Sequence, residues 1–301
     1  MTVARPRPHP RSAAPDRPTA DVFWTIRRRE ILGKTITYLL LTIAVLLILF
    51  PIYWMVITSF KLPREIFRVP SLWPQVFTWN NYKILLEQKD FLIPMRNSLI
   101  VASTVTVTSL LVSSLAAYSI VRFRYPGRTL VGRLILFAYL TPTSLLFIPL
   151  SILMARLQLG NSIFGLVVVY LTFSIPLGTW LLQGYFRAVP RELEEQGMID
   201  GLSRLGALFR IVLPLSAPGL AAVAIFTFTG AWNELLLALV LVTSESQRTA
   251  PLALNYLITS DVLPWGPLMA GAVISSFPLM VLYFVAQRFM VTDLTAGSVK
   301  G

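Results

Sequence analysis

TITYLLLTIAVLLILFPIYWMVITSF, residues 35–60, runs for 26 residues without a charge between Lys34 and Lys61. A helix needs roughly 20 mostly apolar residues to cross a bilayer, so this stretch reads as a membrane span. Similar uncharged runs follow along the chain. Residues 97–121 lie between two arginines, as do 134–155 and 157–186. Residues 211–233 are uncharged, Glu234 follows, and apolar residues resume to Val242; the last run covers 262–287. The expectation is an all-α, polytopic membrane protein with six transmembrane helices. Composition agrees, because 301 residues that are 55% hydrophobic and 13% charged, with mean hydropathy +0.69, cannot clothe a soluble surface of that size.

The net charge of +12 invites a nucleic-acid reading until the basic residues are placed. With the N-terminus inside, 18 of the 26 lysines and arginines fall on cytoplasmic segments, and six of the rest lie in the first outer loop or at the start of the second span. That asymmetry places both termini in the cytoplasm and explains the charge without nucleic acid. Residues 1–34, rich in Pro and Arg, read as a disordered basic cytoplasmic tail, and residues 35–301 as the six-helix domain. The 26-residue run is too long for a cleavable signal and has no small-residue cleavage site, so it reads as a retained anchor. Between Lys61 and Pro94, the prolines and aromatics suggest either a short amphipathic helix on the outer face or an interfacial aromatic belt.

Cysteine is absent and the one histidine is His9. Thiolate, zinc and His-based chemistry therefore lack their residues. No G-x-x-x-x-G-K-[ST] phosphate loop is present. No catalytic residue, metal ligand or bound cofactor is expected on this chain, so it does not read as an enzyme.

Between the fourth and fifth runs the chain interrupts itself with PRELEEQGMIDGLSRLGALFRIVLPLSAPG, residues 190–219. Pro190 suits the first position of a helix. Glu192, Glu194 and Glu195 complement the positive end of its dipole. Gly201 ends it, and a second helix from about Ser203 runs into Pro214. The pattern predicts a helix–turn–helix on the cytoplasmic surface: either a docking element or an ordinary interfacial loop.

This segment resembles the EAA motif of ABC importer permeases, with Glu195, Gly201, Ile211, Leu213 and Pro214 at the motif's spacings and Asp200 as in sugar importers. Gln196 and Gly197 replace the motif's alanines, and Gly197 inside a helix costs on the order of 1 kcal/mol, which predicts a looser helix. The run from Ile148 through Glu195, GAWNELLLAL after the motif, and the ending from Pro267 resemble the MalG-like permease subunits of carbohydrate importers, inner-membrane components of binding-protein-dependent transport systems. Asp293 stands where that ending usually has glycine. Coverage is about residues 35–301. The resemblance implies that the segment is a coupling helix seated on an ABC ATPase, with Glu192, Glu194, Glu195, Asp200, Gly201 and Pro214 as the coupling residues. It also implies a second homologous permease, two ATPase copies that hold ATP and Mg, and an extracytoplasmic substrate-binding protein. The implied cargo is a di- or oligosaccharide, with glycerol-3-phosphate or a related polar solute as the alternative.

Glu234 is the only acid within an expected span, and such groups face a cavity or a partner. Trp232, Asn233 and Glu234 combine a stacking face with hydrogen-bonding groups, as sugar sites do; Glu234 could equally hold the bundle together. The hydroxyl-rich second run, from Ser98 to Ser114, reads as close helix packing. An ion-driven secondary transporter would call for several intramembrane carboxylates or inverted repeats, and a membrane enzyme for a polar cluster at one face. Neither pattern is present. The Arg-rich tail suits anionic membrane lipids.

Overall fold

The structure is a computed structural model that describes residues 20–68, 71–258 and 263–290. Every regular element among these residues is helical. The chain divides into two units, up to Trp54 and from Met55 onward.

In the first unit the described residues form most of α1 (Ala20–Ser59). Its side chains are exposed on every face from Ile31 to Tyr53, and Phe50 stacks on Trp54 at 6.1 Å. A helix apolar all round needs apolar surroundings on all sides, as a membrane supplies. The helix begins at Ala20, ahead of the apolar run. Between Pro18 and Gly33 the sequence holds neither Pro nor Gly, and residues such as Ala20, Arg27 and Leu32 favour helix. Residues 1–19, with most of the Pro/Arg-rich tail, lie outside the described residues, as do Asp261 and Asp293.

The second unit begins with short elements: α2 (Pro63–Arg68), then α3 (Asn80–Lys83), which continues as a π turn to Gln88. Three longer helices follow: α4 (Leu92–Arg122), α5 (Arg128–Leu140) and α6 (Thr143–Arg156). Then come α7 (Ile163–Ala188), α8 (Arg191–Ile199), α9 (Arg204–Ala207), a π turn over Leu208–Val212, and α10 (Leu213–Leu215). The last are α11 (Ala217–Asn233), α12 (Leu236–Leu241), α13 (Ala250–Tyr256) and α14 (Trp265–Met290).

By length and apolarity the Ile31–Ser59 part of α1, together with α4, α7 and α14, can each cross a membrane. Two further candidates are broken: α5 and α6 meet at 97°, and the α9–α10 segment meets α11 at 82°. The third apolar run is therefore two helices rather than one. Thr141 precedes Pro142 and is extended (φ −69°, ψ 123°), as a residue before proline prefers to be. Pro149, Pro176 and Pro278, by contrast, lie inside α6, α7 and α14.

The core is the contact of α4 with α7. Ser113 Oγ donates to the Ile175 carbonyl (3.0 Å) and the Arg122 guanidinium to the Val189 carbonyl (2.8 Å), so partners advance together and the helices run parallel. A Cβ on Gly178 would come within 2.6 Å of Ser113 Oγ, so the glycine sets how closely the two helices approach. Other hydroxyls of α4 are used elsewhere: Thr106 bonds back to the Ala102 carbonyl of its own helix, and Ser98 accepts from the N–H of Ala250, the first residue of α13. At the N-terminal ends of α4 and α7, Asn97 donates to the Ser246 and Arg248 carbonyls, and Gln247 accepts from the Ile163 N–H. The opposite end carries α8.

Between Lys61 and Pro94 the aromatics pack on one another instead of forming a single amphipathic helix. Phe60 stacks on Phe77 at 4.5 Å and meets Trp79 and Tyr82 at 5.0 and 5.2 Å. Buried Asn81 fastens this cluster by donating to the Ser59 and Lys61 carbonyls (2.8 and 2.9 Å). Glu65 accepts from Ser71 Oγ (2.6 Å) and the Gln75 N–H (2.9 Å), while Lys61 donates to the Ser71 carbonyl. Burial raises the Glu65 pKa, but these hydrogen bonds and the Lys61 charge outweigh it and leave it below its ordinary 4.5.

Candidate functional site: a tethered surface helix and a cavity at a helix break

The acidic segment folds as a helix–turn–helix. Pro190 is the residue before the first helical turn, one position earlier than its helix-start signal suggests. Past Ile199 the chain closes a Schellman turn, with the Leu202 N–H bonded to the Gly197 carbonyl (2.9 Å) and the Gly201 N–H to the Met198 carbonyl (3.1 Å). Gly201 sits at φ +94°, where a side chain would be strained. Ser203 then caps α9 by accepting from the Gly206 N–H (3.1 Å). A π turn over Leu208–Val212 precedes exposed Pro214, which has no N–H to donate.

Gly197 lies at a close contact. It is buried, and a Cβ there would approach Ile211 Cδ1 at 2.5 Å and Leu202 Cδ1 at 3.2 Å. The glycine lets α8 lie directly on the segment that follows, so its propensity cost is set against close packing.

The acids of α8 divide by direction. Glu192, Glu195 and Asp200 are exposed, while Glu194 is buried. Its carboxylate pairs with Arg122 and accepts from the Tyr118 hydroxyl (2.9 Å), both at the end of α4. The two charged side chains are 7% and 6% exposed. Tyr118 also donates to the Arg204 carbonyl (3.3 Å), and Arg191 to the Val121 carbonyl (3.2 Å). The surface helix is thus bolted to a membrane helix at several points. Its free side presents Glu192 and Glu195 with the apolar Leu193, Leu205, Phe209 and Ile199, the last 85% exposed.

The second feature is a cavity of about 320 Å³ at the α5–α6 break, between α4, α7 and α11. Tyr139, Thr141, Tyr170, Ser174, Thr227 and Glu234 give it a polar lining within an apolar wall. The Glu234 carboxylate accepts from Tyr170 OH (2.8 Å) and from the Leu237 and Ala238 N–H groups (2.9 and 3.2 Å), which caps α12. Trp232 is buried, its ring stacked on Phe228 at 5.6 Å, and offers no face to a solute. Asn233 is exposed and does not line the cavity. The three neighbours in sequence are therefore not a joint site. Thr227 precedes Glu234 by two turns of α11, but Tyr139, Thr141 and Tyr170 come from segments far away in the chain, and no local signal marks them. The contact of Tyr118 with Glu194, 76 residues apart, is likewise invisible in either segment alone.

Membrane-length helices, a polar cavity at a helix break and an acidic helix–turn–helix between two spans define a polytopic membrane permease. The chain belongs to the family described as "binding-protein-dependent transport system inner membrane component", whose model matches residues 109–295. It is an ABC transporter permease, a family without an ATPase site of its own. Among its relatives is the trehalose/maltose transport system permease protein MalG of Thermococcus litoralis, 35% identical over 277 residues, spanning 91% of this chain and 99% of that one. The diacetylchitobiose uptake system permease protein DasC of Streptomyces coelicolor is 33% identical over 91% of this chain and 100% of its own length. A bacterial ABC transporter crystal structure, involved in import of the acidic polysaccharide alginate, aligns with TM-score 0.70 over 91% of this chain and 99% of that one, at 23% identity, and shares the fold.

Proposed function

We propose that this chain carries a di- or oligosaccharide across the cell membrane as one of two homologous permeases, driven by an ABC ATPase bound to the α8 surface. The observation that carries this is the division of the acids on α8: Glu194 ties the helix to α4, leaving Glu192, Glu195 and the apolar residues around Ile199 facing outward. A surface helix fixed to a membrane helix and open to a partner transmits a push, which a solvated loop would dissipate. Glu195, Asp200 and Gly201 occupy the docking and turning positions, and Pro214 closes the segment.

In this reading the chain crosses six times with both termini in the cytoplasm, as the distribution of Lys and Arg suggests, and the parallel course of α4 and α7 supports a return between them. The chain between them must return across the membrane, so the bent α5–α6 pair counts as one span. The α9–α11 segment counts as another by the same bookkeeping. The cargo is inferred from relatives named for trehalose/maltose and diacetylchitobiose transport. The cavity at the α5–α6 break supplies hydroxyls and the Glu234 carboxylate for a polar solute. An extracytoplasmic binding protein delivers the cargo, and ATP with Mg binds the partner ATPase.

The test is uptake of labelled disaccharides into vesicles that contain the complete importer. ATP-dependent accumulation that is abolished by Glu195→Lys supports the proposal. Accumulation driven by an ion gradient without ATP overturns it.

A further inference from the structure

A cavity of about 810 Å³ opens between α4, α5 and α7 at the end of the bundle that carries α8. Five arginines line it, Arg122, Arg128, Arg133, Arg187 and Arg191, and no lining residue is acidic. Arg122 is neutralised by Glu194. The others bond only to neutral oxygens where they bond at all: Arg128 to the Phe123 carbonyl (2.9 Å), Arg187 to Gln183 Oε1 (3.2 Å) and Arg191 to the Val121 carbonyl (3.2 Å). Among the described residues none of these four has a carboxylate partner. Arg133, Arg187 and Arg191 are exposed at the mouth of the cavity, where an anion with several acceptor oxygens can take charge-assisted hydrogen bonds from more than one guanidinium.

The rest of the wall indicates where that anion comes from. Above the arginines the cavity is lined by Leu136 and Leu181 and by Trp180, two helical turns from Arg187 and so roughly 10 Å deeper. Trp180 stacks on Tyr139 at 6.2 Å, the pairing of aromatics expected near a membrane–water boundary. The outer side of α5 exposes Leu130, Leu134 and Phe137, and no residue of that helix is buried. The cavity is therefore cationic at its mouth and apolar towards the membrane interior, beside a helix faced with apolar side chains. At Gly184 the wall is open, and a Cβ there would meet nothing within 4 Å.

We propose that this cavity is a binding site for the phosphate of an anionic membrane phospholipid, whose acyl chain lies along Leu136 and Trp180. Basic pockets between membrane helices at the cytoplasmic level take such head groups. Because Arg122 and Arg191 also anchor α8, the lipid would sit against the helix that moves with the ATPase. The site rests on the placement of α8 at the cytoplasmic surface.

The complete importer, purified in mild detergent, would be reconstituted in nanodiscs of phosphatidylcholine with or without phosphatidylglycerol. Bound lipid is then counted by mass spectrometry. The expected result is about one phosphatidylglycerol retained per copy of this chain. Arg133→Gln with Arg187→Gln should weaken retention about tenfold or more, each removing a charge-assisted contact. Gly184→Leu projects a bulky apolar side chain from the cavity wall with every charge left in place and should also weaken retention. Co-elution of the ATPase reports on assembly separately, so a failed lipid site is distinct from a failed permease assignment. Unchanged retention in both variants overturns the proposal. So does equal stabilisation by inorganic phosphate in phosphatidylcholine alone, which would make this a soluble-anion site. Loss of the second permease in either variant would show that the cavity is a subunit contact, and would also overturn it.

Discussion

Replacing Glu194 by alanine removes a carboxylate that is 6% exposed and leaves Arg122, itself 7% exposed, without its counter-charge. Breaking a buried ion pair from one side costs about 3–5 kcal/mol, because the remaining charge stays desolvated. The Tyr118 hydroxyl loses its 2.9 Å acceptor in the same change. The loss should fall on the joint between α4 and α8, so thermal unfolding of the purified complex should begin several degrees lower. ATPase activity should also become independent of cargo, as α8 no longer moves with α4. Glu195→Ala, one residue away and exposed, should leave stability within about 0.5 kcal/mol of wild type while still uncoupling the ATPase. Arg122→Met combined with Glu194→Leu should recover most of the stability, since apolar pairs of similar volume commonly replace buried ion pairs at little cost. If Glu194→Ala unfolds at the wild-type temperature, the carboxylate is not the tether described above.

Gly201→Ala meets no neighbour within 4 Å, so its whole effect is the left-handed backbone at φ +94°; a loss of about 1–2 kcal/mol by thermal unfolding is expected. Glu234→Ala removes the cap on α12 and the acceptor of Tyr170. It should cost about 1.5–3 kcal/mol, and should also lower uptake if the cavity lies on the cargo path; normal uptake by a folded variant would remove Glu234 from that path. The Glu65 carboxyl has a folded-state pKa below its ordinary 4.5, so it stabilises the segment around Ser71 and Gln75 above that pH. That contribution declines as pH falls through the lower folded value, and Glu65→Gln should flatten this acid limb in a pH series of unfolding temperatures.

The membrane class was legible because charge is so costly in lipid that the uncharged runs mark themselves; α4, α7 and α14 fall where those runs lie. The break at Thr141–Pro142 was less so, since proline is tolerated inside α6, α7 and α14 and only its surroundings decide whether a helix parts. Within the surface segment, Gly201 and Ser203 were readable as turn and cap because both act locally. Glu194 was not separable from Glu192 and Glu195 by residue type; which acid turns inward depends on where Arg122 and Tyr118 stand on another helix. Trp232 illustrates the same limit. Its neighbours Asn233 and Glu234 suggested a joint sugar site, yet the helix directs Trp232 into the packing against Phe228 and Glu234 towards Tyr170.

The most direct test is purification of this chain from its native membrane in mild detergent, with every co-purifying protein identified. An ABC ATPase and a second six-span permease should appear in comparable amounts, and Glu195→Lys should lose the ATPase while keeping the second permease. Recovery of the chain alone, or only with copies of itself, would contradict the assignment of the α8 surface as a docking site for an ATPase.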